Sequence, residues 1–248
     1  MSLCPDCVKS VRHEGTPTGK FENIGGVNCY VATPTGDYPK DRVLLYLADA
    51  LGLHFNAQLL MDDFANNGYM TIGPDYLYGE PVPESILTNF DQAIVKKWVS
   101  EHTQERTRPH LDKVINALKE QGITKFAATG YCFGGRYVFD LSFEHIIDVA
   151  ITSHPSLLKL PDLEKYASVS KAPLLINSCT VDGQFPPEMQ AKADEILGGG
   201  KYAYGYRREY FEGCTHGFAV RGDLSDPLVK AAKEGAFTAA VEWLKLYF

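Results

Sequence analysis

The chain has no run of about 18 apolar residues, the length a membrane-spanning helix needs. Its opening stretch, MSLCPDCVKSVRHEG, holds no apolar core of the kind a signal peptide carries. Both absences predict a cytoplasmic protein that does not enter a membrane. Positive charge is also in short supply. Twenty-four Lys and Arg stand against 31 Asp and Glu, a formal net charge of −7. That balance offers no electrostatic footprint for nucleic acid or an anionic lipid surface, although a local arginine can still receive an acidic substrate. There is no internal repeat, low-complexity block or dividing linker, so one domain is expected over 20–248, with 1–19 as an N-terminal tail or arm. A 248-residue chain that is 45% apolar can bury its own core, and a monomer is expected. No second C-x-x-C and no H-x₃-H accompanies Cys4 and Cys7, so no zinc set is complete and no metal or organic cofactor is expected. The six cysteines are expected to be free thiols in a reducing compartment. Finally, the chain contains no G-x-S-x-G, which removes serine as an elbow nucleophile.

What is present is an alternation. Short apolar runs of strand length (26–34, 42–49, 69–75, 125–130, 147–155, 172–180 and 202–211) are separated by stretches with helical spacing. The helical stretches are 55–67, the amphipathic NFDQAIVKKWVS, 104–121, 133–143, 186–199 and roughly the last 20 residues. That order predicts βαβ units and a mostly parallel sheet with helices on both faces. Near-continuous runs such as VLLYL and PLLIN fit strands covered on both sides. Ligands bind such sheets at the carboxyl ends of the strands. Asp49, Asp75, Cys132, Ser153, His154 and Asp182 all fall just past a predicted strand.

One of these positions is unusual. In AATGYCFGG a strand runs directly into a helix through G-x-C-x-G, with Cys132 between Gly130 and Gly134. A nucleophile on a sharp strand-to-helix turn needs neighbours without side chains two positions away, or the backbones collide. The helix N-terminus then aims free N–H groups at the sulfur and favours its thiolate. A thiol nucleophile needs a base, and the base needs an orienter. In the chain order nucleophile, acid, histidine, Asp182 follows a strand 50 residues on, and His216 lies a further 34 residues on in a glycine-flanked loop.

The pieces GYCFGG, VDGQFPP and EGCTHGFAVRG resemble the dienelactone hydrolase (carboxymethylenebutenolidase) family in order and spacing, over roughly 20–248. HEGTPTG and HPS resemble its fungal-type branch. The resemblance implies an α/β-hydrolase fold and hydrolysis of a lactone or activated ester through an acyl-thioester on Cys132, with Asp182 and His216 completing the triad. It implies an oxyanion hole made by the backbone N–H groups of Phe133 and Ala50. Asp49 stands where bacterial members carry a glutamate, and Arg221 stands where an arginine would hold a substrate carboxylate. A second such arginine is missing from PDYLYGEP. Tyr76 and His154, just past strands, are candidates to line the pocket. Competing readings are a small-molecule binding protein that keeps the pocket without the chemistry, and a redox or zinc-regulated protein acting through CPDC.

Overall fold

The computed structural model describes residues 14–87, 89 and 91–248; Cys4 and Cys7 lie outside them. Eight strands form one sheet: β1 (Lys20–Ile24), β2 (Val27–Ala32), β3 (Arg42–Leu47), β4 (Thr71–Pro74), β5 (Lys125–Tyr131), β6 (Val149–Ser153), β7 (Leu174–Val181) and β8 (Tyr206–Thr215). Their order across the sheet is β1-β2-β4-β3-β5-β6-β7-β8. Only β1–β2 and β2–β4 are antiparallel; every later pair is parallel. The helices are α1 (Phe55–Asn66), α2 (Gln92–Glu101), α3 (Gln104–Glu120), α4 (Gly134–Phe143), α5 (Leu160–Val169), α6 (Pro187–Leu197), α7 (Phe218–Arg221) and α8 (Pro227–Tyr247).

The two-residue period of a strand divides the core. Along β3, Val43, Leu45 and Leu47 join the apolar layer shared with α3, α4, α5 and α6, whereas Leu44 and Tyr46 join the layer shared with α1 and α8. All five are fully buried, which is why the run reads as continuous rather than alternating. This is an α/β-hydrolase sheet with helices on both faces.

Among the elements that depart from the sequence reading, three have a clear physical reason. β1 is not legible because four of its five residues, KFENI, are exposed, leaving no apolar signal. Helix α5 buries only Leu163 and Tyr166 and falls where no element is expected. The last strand runs four residues later than predicted, because Gly205 at φ +115 turns the chain just before it.

The glycines around Cys132 are set by backbone contact. A Cβ on Gly134 would lie 2.0 Å from the Leu47 carbonyl oxygen, and one on Gly130 would lie 2.6 Å from that of Gly134. A Cβ on Gly135 would meet Pro155 and Thr152 side-chain atoms at 2.7 Å. Gly134→Ala is therefore expected to destabilise the fold by about 3 kcal/mol, the upper end for overpacking. Gly183→Ala, where a Cβ meets nothing within 4 Å, should stay within about 0.5 kcal/mol. Urea unfolding midpoints of the two variants check this; equal midpoints would contradict it.

Candidate active site

Cys132 follows β5 directly and holds φ +49, a left-handed conformation that side chains seldom adopt. Its N–H donates to the Ser153 carbonyl at 3.1 Å, and its own carbonyl accepts from Gly135 N at 3.0 Å and Ser156 N at 2.9 Å. The turn is thus tied to β6, to the start of α4 and to the loop beyond β6. The sulfur lies 3.3 Å from Ser156 Oγ.

Asp182 and His216 are brought together by the pairing of β7 with β8. Val181 stands opposite Thr215, and His216 N–H donates to the Val181 carbonyl at 2.9 Å. Gly217, at φ +96, lets the chain turn immediately into α7. His216 Nδ1–H donates to Asp182 Oδ1 at 2.8 Å. The same oxygen accepts from Gln184 N at 2.8 Å and Phe185 N at 3.0 Å, which fixes the carboxylate before the histidine arrives. His216 Nε2 is buried and has no hydrogen-bond partner.

Nε2 and the sulfur do not meet in hydrogen-bond geometry, yet each perturbs the other's ionisation. Burial alone would push the Cys132 thiol up; the opposing charge of His216 and, more weakly, of Arg221 brings it down to about 7. Burial would pull His216 down, but the Cys132 and Asp182 charges hold it well above the usual histidine range. The two directions favour a thiolate beside an imidazolium.

Arg221, on α7, donates through Nη1 to Asp49 Oδ2. Asp49 is 1% exposed, and its other oxygen accepts from Leu51 N at 3.0 Å. Asp49 therefore engages the arginine and not the thiol, whose ionisation it opposes only through charge. Among the described residues, neither the Phe133 nor the Ala50 N–H has an acceptor, so both donors are free at the turn.

Tyr76 and His154 do not line an open pocket. Tyr76 is fully buried, stacks on Phe133 and donates its hydroxyl to the Ala48 carbonyl, so it props the loop that carries Ala50. His154, at φ +40 and fully buried, packs edge-on against His216 with ring centres 5.0 Å apart. Burial, with His216 and Arg221 nearby, keeps its ring neutral. A cavity of about 530 Å³ opens instead beyond the site, with Val99, Tyr137, Leu157, Leu158, Gly183 and Gln184 among its lining residues. Its walls begin one residue past Ser156 and one past Asp182. Sequence reasoning did not single out Ser156; the only signal was its place in HPS after a strand.

Cys29, Cys132, Cys179 and Cys214 are free thiols. Among the described residues no His, Cys, Asp or Glu group is arranged to hold a metal, and no helix is long and apolar enough to cross a membrane.

A mostly parallel sheet with a strand–turn–helix cysteine, and an acid and a histidine beyond the ends of its last two strands, defines an α/β-hydrolase. The chain belongs to the dienelactone hydrolase family, whose model matches residues 27–248. It is a hydrolase of the carboxylic-ester class. Among curated relatives, Dienlactone hydrolase 1 of Gibberella moniliformis is 34% identical, covering 99% of this chain and 93% of its own length. Hydrolase tropI of Talaromyces stipitatus is 33% identical, covering 97% of this chain and 95% of its own length. Among solved structures, a dienelactone hydrolase-like promiscuous phosphotriesterase from metagenomic libraries superposes with a TM-score of 0.68 at 19% identity. It covers 94% of this chain and 100% of that one.

The charge arrangement sets a pH dependence. Thiolate forms as pH rises through about 7, rather than near the ordinary thiol value of 9.0. Cys132 alkylation by iodoacetamide should therefore reach half its plateau near pH 7. In His216→Ala the largest influence that opposes burial is lost, and the midpoint should move up by at least one unit. A pH–rate series with peptide mapping checks both midpoints.

Proposed function

We propose that this protein is a cysteine-dependent hydrolase of lactones or activated esters, acting through an acyl-thioester on Cys132 with His216 as base and Asp182 as its orienter. The observation that carries the reading is the 2.8 Å bond from His216 Nδ1 to Asp182, with Nε2 left buried, unpartnered and electrically coupled to Cys132. The fungal relatives named as dienelactone hydrolases support the lactone class.

On this reading the sulfur lone pair attacks the substrate carbonyl carbon. The carbonyl electrons move to oxygen, where the N–H groups of Phe133 and Ala50 receive the developing charge, worth a few kcal/mol. Collapse expels the ring or leaving oxygen, which takes the proton from His216 Nε2. Water then attacks the thioester, gives its proton to His216, and the C–S bond breaks with its electron pair returning to sulfur. A nucleophilic thiol must stay reduced, which supports a cytoplasmic location. The single sheet with both faces covered supports action as a monomeric domain over 20–248.

The charge of Arg221 is already neutralised by Asp49. That pairing supports neutral lactones and esters over carboxylate-bearing dienelactones. Asp49→Asn keeps an acceptor for Leu51 N and frees the guanidinium. It should lower KM for a carboxylate-bearing lactone about fivefold, roughly 1 kcal/mol, and leave a neutral ester's KM unchanged. Steady-state kinetics on the matched pair of substrates test this.

Brief mixing with an activated ester should give one acyl adduct at Cys132 by intact mass. Cys132→Ala should keep the fold and lose roughly a thousandfold or more in ester turnover, and Cys132→Ser should be poor. Undiminished turnover in Cys132→Ala would overturn the reading.

A further inference from the structure

The mechanism above leaves one side chain touching the sulfur without a role. Ser156 Oγ stands 3.3 Å from Cys132 Sγ, within hydrogen-bond geometry. The serine is 5% exposed, and its hydroxyl has no other partner among them. Its N–H also donates to the Cys132 carbonyl at 2.9 Å, so the two residues are bonded at both backbone and side chain. The loop that delivers it is strained. His154 at φ +40 and Leu157 at φ +62 bracket Pro155 and Ser156, placing two non-glycine residues in the left-handed region within four positions. Such strain persists where the surrounding structure over-determines it, and it gathers at working sites. A turn that merely covered the sheet end would need no hydroxyl against the nucleophile.

We propose that Ser156 is a further catalytic residue: its hydroxyl donates to the Cys132 sulfur in the resting site and again when the sulfur leaves during deacylation. This rests on Cys132 being the nucleophile. In the resting thiolate the sulfur carries the charge and Ser156 O–H donates to it. When the C–S bond forms, the sulfur lone pair is consumed and the hydroxyl loses a charged acceptor. When water attacks the thioester, the electron pair returns to sulfur and the same hydroxyl stabilises the departing thiolate. The contact therefore assists acylation little, because it stabilises the attacking ground state, and assists deacylation directly.

The other charged or titratable groups around the sulfur are His216 beyond β8, Arg221 on α7, Asp49 beyond β3 and Tyr76 beyond β4. None of them changes in Ser156→Ala, so a changed profile reports the hydroxyl. The test uses the full chain, 4-nitrophenyl acetate and iodoacetamide, with wild type, Ser156→Ala and Ser156→Thr. In Ser156→Ala the alkylation midpoint of Cys132 should rise by about one unit, a tenfold loss of thiolate below it. The kcat should fall about tenfold while kcat/KM changes by less than about threefold, and acetylated Cys132 should accumulate by intact mass. Ser156→Thr should restore all three. An unchanged midpoint and kcat in Ser156→Ala would overturn the proposal. So would an equal fall in kcat and kcat/KM without acetyl-enzyme, which marks loosened packing. If wild-type Cys132 is itself unreactive, the nucleophile reading falls and this proposal with it. If wild-type Cys132 reacts and Ser156→Ala matches it, only this proposal falls.

Discussion

The site hangs on the backbone of Cys132. A residue with a side chain is held at φ +49 between a strand and a helix, a conformation that costs about 1–3 kcal/mol and lasts only when its surroundings enforce it. The enforcement is visible in the contacts. Gly134 passes so close to β3 that an added Cβ would overlap the Leu47 carbonyl, and Gly130 passes too close to the first turn of α4 for one. That close approach does more than allow the turn. It brings the end of β3 against the start of α4, so that the loop carrying Ala50 and the amide of Phe133 belong to one small region. Tyr76, buried beneath, ties that loop to its neighbour through the Ala48 carbonyl. Removing any of these close contacts would separate the amide donors from the sulfur they serve on the proposed mechanism.

Around this turn the charges form two nested pairs. Asp182 holds His216, and Asp49 holds Arg221. The first pair makes a cation opposite the thiol. The second brings a cation that lowers the thiol and an anion that raises it, so the two oppose each other at the sulfur. This division lets one site carry an arginine beside a thiol with a carboxylate set against the arginine's charge. It also explains why neutral His154 stands behind His216: a charged ring there would face the imidazolium and Arg221 at once, and burial removes that state.

Much of this was readable from residue types and spacing. Gly130, Cys132 and Gly134 announced a turn because only steric exclusion explains glycines on both sides of a thiol. Asp182 and His216 followed from lying just past strands in the right order, and the structure brings these two together at the β7–β8 end. What was not readable has physical causes. KFENI carries no apolar face because β1 packs little of itself inward. Helix α5 buries two side chains, below what a periodic pattern can signal. The burial of Tyr76 is silent in the sequence because an aromatic after a strand has no mark that separates exposed from buried. Ser156 was silent for a different reason. Its contact with Cys132 depends on two left-handed residues on either side, and neither histidine nor leucine advertises such a backbone.

On the proposed mechanism, the use of sulfur shapes which substrates the site favours. A thiol that ionises near 7 is a good leaving group as well as a nucleophile. Once it has added to a carbonyl, the tetrahedral intermediate expels whichever group departs more easily, and an alkoxide or an amine loses that competition to the thiolate. An enolate or a phenolate does not, since its charge is delocalised and its conjugate acid is far more acidic. Protonation by His216 narrows the gap without closing it. The proposed chemistry is therefore best matched to enol-lactones and activated esters, whose leaving groups depart without full protonation, whereas an amide or simple alkyl ester depends on His216 to protonate its leaving group. The same logic makes deacylation easy, because the thiolate is then the only good leaving group in the intermediate. In that step a hydrogen bond to the sulfur has its largest effect, and the structure places Ser156 within that distance of it.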